Sequence, residues 1–287
     1  MKLMKISTSL AYTSLILALL QTQGLSSTLL THFDMGETVV GETNRPANTA
    51  PNHSSDNLFT GGNWTSVKDT GATGAPGSDK YAYFSGSGSD VLYQGGHQNY
   101  TGGNMAFSLW FNADALPVNS SSDHPDWSTQ WLYTSADKAS NHGFKLGITA
   151  AGTISFSLTN LGGSGLQSSL GSIVAGEWNQ MGVSLNGNLF TLYLNGVAVA
   201  SKDWGTNTPD IDWGNFSRLA ESSEHVVDNQ KFQGGIDEIK IWNIAGDSQD
   251  TVNNLMKAEG PSVVPEPTVA TLSLFGLLGL FLHRRRN

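Results

Sequence analysis

Trp178-Asn-Gln-Met-Gly-Val-Ser-Leu-Asn-Gly-Asn-Leu-Phe-Thr-Leu-Tyr-Leu-Asn-Gly-Val-Ala-Val-Ala-Ser-Lys202 holds two Asn-Gly dipeptides, Asn186-Gly187 and Asn195-Gly196, each flanked by alternating apolar residues. Asn-Gly accepts positive φ at both central positions of a type I′ turn, so each dipeptide marks a hairpin. The stretch therefore predicts an antiparallel meander of three strands, at 180–185, 188–194 and 197–202. Met181, Val183 and Leu185 share one face, continued by Leu192 and Leu194 and then by Val197 and Val199. Such alternation predicts a sheet with one buried and one wetter face, as in a β-sandwich.

Working outward, the same grammar repeats. Met105-Ala-Phe-Ser-Leu-Trp-Phe-Asn112 alternates, with Phe107, Leu109 and Phe111 on one side. Gly143–Thr149 and Thr153–Thr159 make a hairpin across Ala151-Gly152. Shorter strands are expected at Thr28–Asp34, within Lys80–Tyr93 and at Phe216–Ala220, and a last long one at Phe232–Trp242. A short helix follows Asp247-Ser248, with Val252, Leu255 and Met256 as its apolar stripe and Gly260-Pro261 as its stop. Many strands and one helix, with turn signals throughout, give an all-β antiparallel sandwich of jelly-roll size.

Composition agrees. Glycine is abundant (33 residues) and charged residues are sparse (14%), which suits short strands joined by turns. There is no cysteine, so an exported form has no disulfides and relies on its core, with a metal as the one other staple. The net charge is −9, and five basic residues (Lys2, Lys5, Arg284, Arg285, Arg286) lie at the two ends. An acidic body excludes nucleic acid and anionic lipid as natural partners and is compatible with neutral polymers and divalent cations.

The two ends read as addresses. Residues 1–27 have a basic start, an apolar run through Leu20 and small residues at Gly24, Ser26 and Ser27, the layout of a secretory signal peptide. Residues 261–287 open with proline-punctuated Pro261-Ser-Val-Val-Pro-Glu-Pro267, continue with the charge-free run Thr268–Leu282, and end in His283-Arg-Arg-Arg-Asn287. The run falls short of the roughly 20 residues that span a bilayer, but snorkelling arginines make up the difference, so 268–283 is expected to be a membrane helix. The arginines belong on the cytoplasmic side. This tail closely resembles the PEP-CTERM sorting signal, through Pro265-Glu266-Pro267, the apolar helix and Arg284, Arg285 and Arg286. The resemblance implies transient anchoring in the inner membrane and an exosortase-type processing protease as partner. It further implies delivery to the cell surface or extracellular matrix of a Gram-negative, exopolysaccharide-producing bacterium.

Residues 28–260 resemble a LamG-like, concanavalin A-like lectin/glucanase jelly roll. The matching pieces, in family order, are Leu29–Asp34, Tyr83-Phe-Ser-Gly-Ser-Gly-Ser-Asp-Val-Leu, Phe107-Ser-Leu-Trp-Phe-Asn-Ala-Asp, Gly176-Glu-Trp-Asn with Leu192-Tyr-Leu-Asn-Gly, and Gly235-Ile-Asp-Glu-Ile-Lys-Ile-Trp-Asn243. The resemblance implies a structural calcium bound by Asp237 in the last strand, with Asp34 and backbone oxygens near the domain's start. Calcium wants about six to eight oxygen ligands, mixing carboxylates with carbonyls.

Three functions compete. Glucanase chemistry needs two carboxylates flanking the scissile bond, and on a strand that calls for alternate acids. Asp210-Ile-Asp212 and Glu221-Ser-Ser-Glu224 have the wrong setting, in loops, so no catalytic residue is assigned; an atypical hydrolase is one alternative. The histidines are scattered without zinc spacing. Sugars stack their C–H faces on aromatic rings, and the aromatics read as loop residues beside polar groups are Trp127, Trp131, Tyr133, Trp204 and Trp213. The reading is an exported, non-catalytic, carbohydrate-binding protein; a purely structural matrix protein, whose rings are core, is the other alternative.

Overall fold

The computed structural model describes residues 27–35, 39–40, 45–46, 49–51, 59–61, 66–69, 75, 80–86, 92–94, 102–118, 129–135, 143–158, 165–169, 172–207, 210–211, 213, 217–220 and 231–261. Both terminal segments, including Pro265 to Arg286, lie outside these residues. No helix among the described residues is long and apolar enough to cross a membrane.

In chain order the strands are β1 (Thr28–Phe33), β2 (Val39–Val40), β3 (Arg45–Pro46), β4 (Phe59–Gly61), β5 (Ser66–Asp69), β6 (Lys80–Ser85), β7 (Leu92–Gln94), β8 (Met105–Ala113) and β9 (Thr129–Thr134). They continue with β10 (Phe144–Thr149), β11 (Ile154–Leu158), β12 (Gly165–Gln167), β13 (Trp178–Asn186), β14 (Leu189–Leu194), β15 (Val197–Asp203), β16 (Arg218–Leu219) and β17 (Gln233–Asn243). A helix, α1 (Gln249–Glu259), follows. Two antiparallel sheets face each other. Sheet I runs β15-β14-β13-β8-β17-β6-β5, with β1 also on β17; sheet II runs β12-β11-β10-β9-β16-β7-β4. Strands β6 and β7, neighbours in sequence, enter opposite sheets, a crossover that helps close the sandwich.

The expected meander is present, with one turn displaced. Leu194 pairs with Val197, so Asn195 and Gly196 are the central residues, at φ 52° and 77°, the type I′ geometry. In the first hairpin Asn186 pairs with Leu189, which makes Gly187-Asn188 the loop. Gly187 holds φ 60° at the first central position, where a type II′ turn wants glycine.

The core lies between the sheets. Met181, Val183, Leu185, Phe190, Leu192 and Leu194 meet Phe107, Leu109 and Phe111 from the same sheet and Leu132, Phe144, Leu146 and Phe156 from the other. Phe144 sits amid four rings: Phe107 at 5.7 Å, Tyr133 at 5.4 Å, Phe156 at 6.0 Å and Trp213 at 5.2 Å. Val197 pairs with Leu194 as expected, yet it is 63% exposed on edge strand β15. The register between β14 and β15 slips further along, at Leu192/Tyr193, where the bulge lets Val199 and Ala200 both pack against the core.

The outer face of sheet I is also less wet than alternation suggested. Helix α1, capped by the Ser248 side chain on the Thr251 amide, lays Val252, Leu255 and Met256 on Ala106, Tyr193 and Trp242. Gln180, Ser184 and Thr191 are buried beneath this layer. Gln180 Oε1 accepts from the Gly196 amide (3.0 Å), and the neighbouring Tyr193 donates its hydroxyl to Asn253 (2.9 Å) while accepting from Gln249 (3.0 Å). Burial pushes the Tyr193 hydroxyl pKa up, against the lowering effect of its hydrogen bonds.

Candidate functional site

Three places on the sandwich carry enough chemistry to matter. The first is the junction on β17. Its first half pairs with β6 (Ile236↔Ala82) and its second half with β1 (Ile239↔Phe33), and the ladder to β8 is bulged between Asp237 and Lys240. Asp34 follows the end of β1 there and is nearly buried; Asp237 is fully buried. The Asp237 Oδ1 accepts from the Glu238 amide at 2.8 Å. Met35 and Glu238 both take positive φ, 48° and 49°. Carboxylates are ligands of the type that calcium combines with backbone carbonyls. No cluster of three or more acidic, histidine or cysteine side chains is present among the described residues.

Beside these aspartates an ion-pair chain ties three elements together. Lys240 Nζ lies 2.8 Å from Glu238 Oε2 and 2.8 Å from Glu259 Oε2 on α1, and His32 Nε2 lies 3.0 Å from Glu238 Oε2. Burial pushes the Glu238 carboxyl up, but the His32 hydrogen bond and the Lys240 charge outweigh it and hold the pKa at about 2. Burial lowers the Lys240 ammonium, and the Glu259 and Glu238 charges more than reverse that, raising it.

The second place is the set of five aromatics expected to form a sugar platform, of which the structure describes four, and these do not stand together as exposed loop rings. Trp131 and Tyr133 lie on strand β9, not in a loop, and are 7% and 2% exposed; Trp213 is 0% exposed. The Tyr133 hydroxyl donates to the Trp213 carbonyl (3.1 Å), and the Trp213 indole N–H donates to the Gly102 carbonyl (3.0 Å). Tyr133 and Trp213 are core, because burying so large an apolar area outweighs exposing it once the N–H and O–H have partners, whereas buried Trp131 carries Lys145 Nζ 5.5 Å over its ring. Trp204 is half-buried, against Phe190 at 6.2 Å, and Lys202 Nζ stands 3.9 Å over its ring. Trp127 lies outside the described residues. Of the loop acids, Asp210 is exposed, whereas Asp212, Glu221 and Glu224 also lie outside them.

The third place was not anticipated. Cross-strand register aligns Trp178 (β13), Asn112 (β8), Gly235 (β17) and Tyr83 (β6) in one row on the outer face of sheet I. Tyr81, two residues from Tyr83, joins the same face and meets Trp178 edge to face, with ring centroids 5.3 Å apart. Both rings lie directly on the backbone of Gly235: a Cβ there would stand 2.8 Å from Tyr81 Cδ2 and 3.0 Å from Trp178 Cη2. Tyr81, Tyr83, Asn112 and Trp178 are all half-buried. Exposed Asp114 accepts the Tyr83 hydroxyl at 2.6 Å; this bond and burial raise the Tyr83 pKa, while burial and the Asp114 charge raise that of Tyr81. The sequence signal for this row is Gly234-Gly235 within strand β17, a mark of close approach.

Comparison with known proteins gives the family. The family model described as "Concanavalin A-like lectin/glucanases superfamily" (Laminin_G_3) matches residues 85–250. Among curated proteins, none matches the chain. Among solved structures, domain 4 of AbnA, a GH43 extracellular arabinanase from Geobacillus stearothermophilus in complex with arabinotriose, is similar at TM-score 0.52 and 18% identity, over 80% of this chain and 98% of that one. The binding domain of Paraclostridial Mosquitocidal Protein 1 is similar at TM-score 0.58 and 15% identity, over 81% of this chain and 52% of that one. The receptor binding domain of botulinum neurotoxin D gives TM-score 0.56 and 16% identity, over 81% and 53%. The chain thus spans the whole arabinanase domain and about half of each toxin chain. At these identities the likeness is one of fold.

Proposed function

This chain belongs to the concanavalin A-like lectin/glucanase superfamily, and from that premise we propose that it is an exported, non-catalytic protein that binds carbohydrate at the cell surface or in the extracellular matrix. The observation that carries this reading is the match to a complete domain, AbnA domain 4, that was captured with arabinotriose. Half-exposed aromatic side chains on the outer face of sheet I, beside an exposed carboxylate, give the chemistry such binding requires. The absence of an alternating acidic run on any strand of the sequence favours binding over hydrolysis.

The route to the surface belongs to the same proposal. Residues 1–27 act as a signal peptide. Residues 261–287 act as a PEP-CTERM signal, with Pro265, Glu266 and Pro267 presented to an exosortase-type protease, 268–283 in the inner membrane, and Arg284, Arg285 and Arg286 held on its cytoplasmic side. The prolines disfavour helix and remove backbone donors, which keeps the cleavage region extended. Calcium, when bound, would be held by Asp34 and Asp237 with neighbouring backbone oxygens. It would neutralise the buried Asp237 and clip the first strand to the last, a useful staple in a chain without disulfides.

The test is a glycan array probed with the purified full chain. Retention on a defined subset of neutral glycans, without release of reducing ends on prolonged incubation, is the expected outcome. Turnover of a bound glycan would replace the binding reading by the hydrolase one, and no retention on any glycan would leave a structural matrix protein.

A further inference from the structure

Helix α1 divides the outer face of sheet I. Over one end it buries Ala106, Tyr193 and Trp242; at the other end the row through Trp178, Asn112, Gly235 and Tyr83 keeps partial contact with solvent. Large rings left half-open on a sheet face give up burial that a core position would have provided, on the order of 25 cal/mol per Å² of apolar surface. The row is nonetheless built. Glycine in a strand interior is unfavourable, and Gly235 is tolerated here because the Tyr81 and Trp178 rings occupy the space of its side chain. Rings from the strands on either side of β8 and β17 thereby reach over the Gly235 backbone and meet edge to face, on rigid strands and not on loops.

We propose that this row is a glycan-binding platform that takes a neutral polysaccharide, the sugar C–H faces lying along Tyr81 and Trp178 and the hydroxyls meeting Asp114 and Asn112. The assignment rests on the carbohydrate-binding reading and gives it an address distinct from the aromatics named by sequence. Asp114 is exposed and uses one oxygen on Tyr83, and a carboxylate has further lone pairs for sugar hydroxyls. Tyr83 is fixed by that bond, so the polar edge of the platform is set before a ligand arrives. The same carboxylate, on a chain of net charge −9, repels uronate and sulfated polymers, which selects the neutral class.

The experiment is affinity electrophoresis of the full chain through gels containing hydroxyethylcellulose, arabinan or dextran, with polygalacturonate as the anionic polymer. Variants Tyr81→Ala, Trp178→Ala and Asp114→Asn are compared with Trp204→Ala. At least one neutral polymer should retard the wild type and the Trp204→Ala variant alike. The platform variants should lose at least about tenfold in affinity, the loss expected for removing a central contact. Asp114 is exposed, so Asp114→Asn tests the platform even where Trp178→Ala fails to fold. If the wild type is retarded and all three platform variants match it, the platform assignment is overturned while carbohydrate binding stands. If no polymer retards the wild type, carbohydrate binding falls and the platform with it. Equal retardation by polygalacturonate overturns the neutral class.

Discussion

Replacing Trp213 by alanine decides between the two roles open to the aromatics that the sequence singles out. The ring is fully buried, packs 5.2 Å from Phe144, and donates its N–H to the Gly102 carbonyl. Truncating a buried Trp costs about 3–5 kcal/mol through lost transfer energy and the cavity left behind. Losing the indole donor adds about 1 kcal/mol, a low figure because Gly102 is only half-buried and water can replace the bond. A domain of this size loses about 2–4 °C of Tm per kcal/mol, so Trp213→Ala should lower Tm by about 10–20 °C. Trp213→Phe keeps a ring against Phe144 and should cost about 1–2 kcal/mol, or about 2–8 °C. The assay is thermal unfolding followed by near-UV circular dichroism, with urea unfolding to confirm that the m-value is unchanged. A Trp213→Ala protein that melts within about 3 °C of wild type but no longer binds glycan would refute the core assignment and return Trp213 to a surface platform.

Three further outcomes follow from the same structure. The Glu238 carboxyl is depressed from 4.5 to about 2 in the folded protein, so its stabilising contribution is complete above the unfolded value and lost as pH falls from 4.5 toward 2; Glu238→Gln should flatten the loss of Tm across that window, and an identical acid profile would remove the ion-pair chain from the account. Calcium at a hundredfold excess over its Kd should stabilise the fold by about 2.7 kcal/mol through mass action; Asp237→Ala should abolish the shift, and a wild-type Tm indifferent to chelator ends the calcium assignment. Replacing Pro265, Glu266 and Pro267 together by Ala should leave membrane insertion intact and stop processing, so that uncleaved protein accumulates in the inner membrane; processing at the wild-type rate makes the tail a plain anchor.

What the sequence made legible was whatever depends on neighbours along the chain. Asn195-Gly196 specified its turn, Met181, Val183 and Leu185 specified their face, and Ser248 with Val252, Leu255 and Met256 specified the helix. The Gly187-Asn188 loop shows the limit: Asn186-Gly187 and Gly187-Asn188 overlap, and register across β13 and β14 chose between them. Trp131 and Tyr133 were misread for a related reason. They stand in a chain segment full of Ser, Asp and Pro, which resembles a loop until strand β10 pairs with them.

The outer face of sheet I was beyond sequence because its character is set by what covers it. Polar residues alternating with apolar ones predict water on the polar side, yet Gln180, Ser184 and Thr191 are buried beside a tyrosine that exchanges hydrogen bonds with α1. Binary patterning cannot distinguish polar groups facing water from polar groups facing a helix. The platform fails to show for a second reason. Tyr81, Asn112, Trp178 and Gly235 are scattered over the chain, and each alone reads as an ordinary strand residue. Only when β8 and β17 are placed between β13 and β6 do they share a row. The same arrangement explains why the row is open. Helix α1 is held by Lys240 and Glu259 to the half of β17 that pairs with β1, whereas Gly235 lies in the half that pairs with β6, beyond the bulge. The bulge at Asp237 and Lys240 therefore separates a half that is stapled and covered from one where aromatic rings meet solvent, and it is the latter half where a polymer can be received.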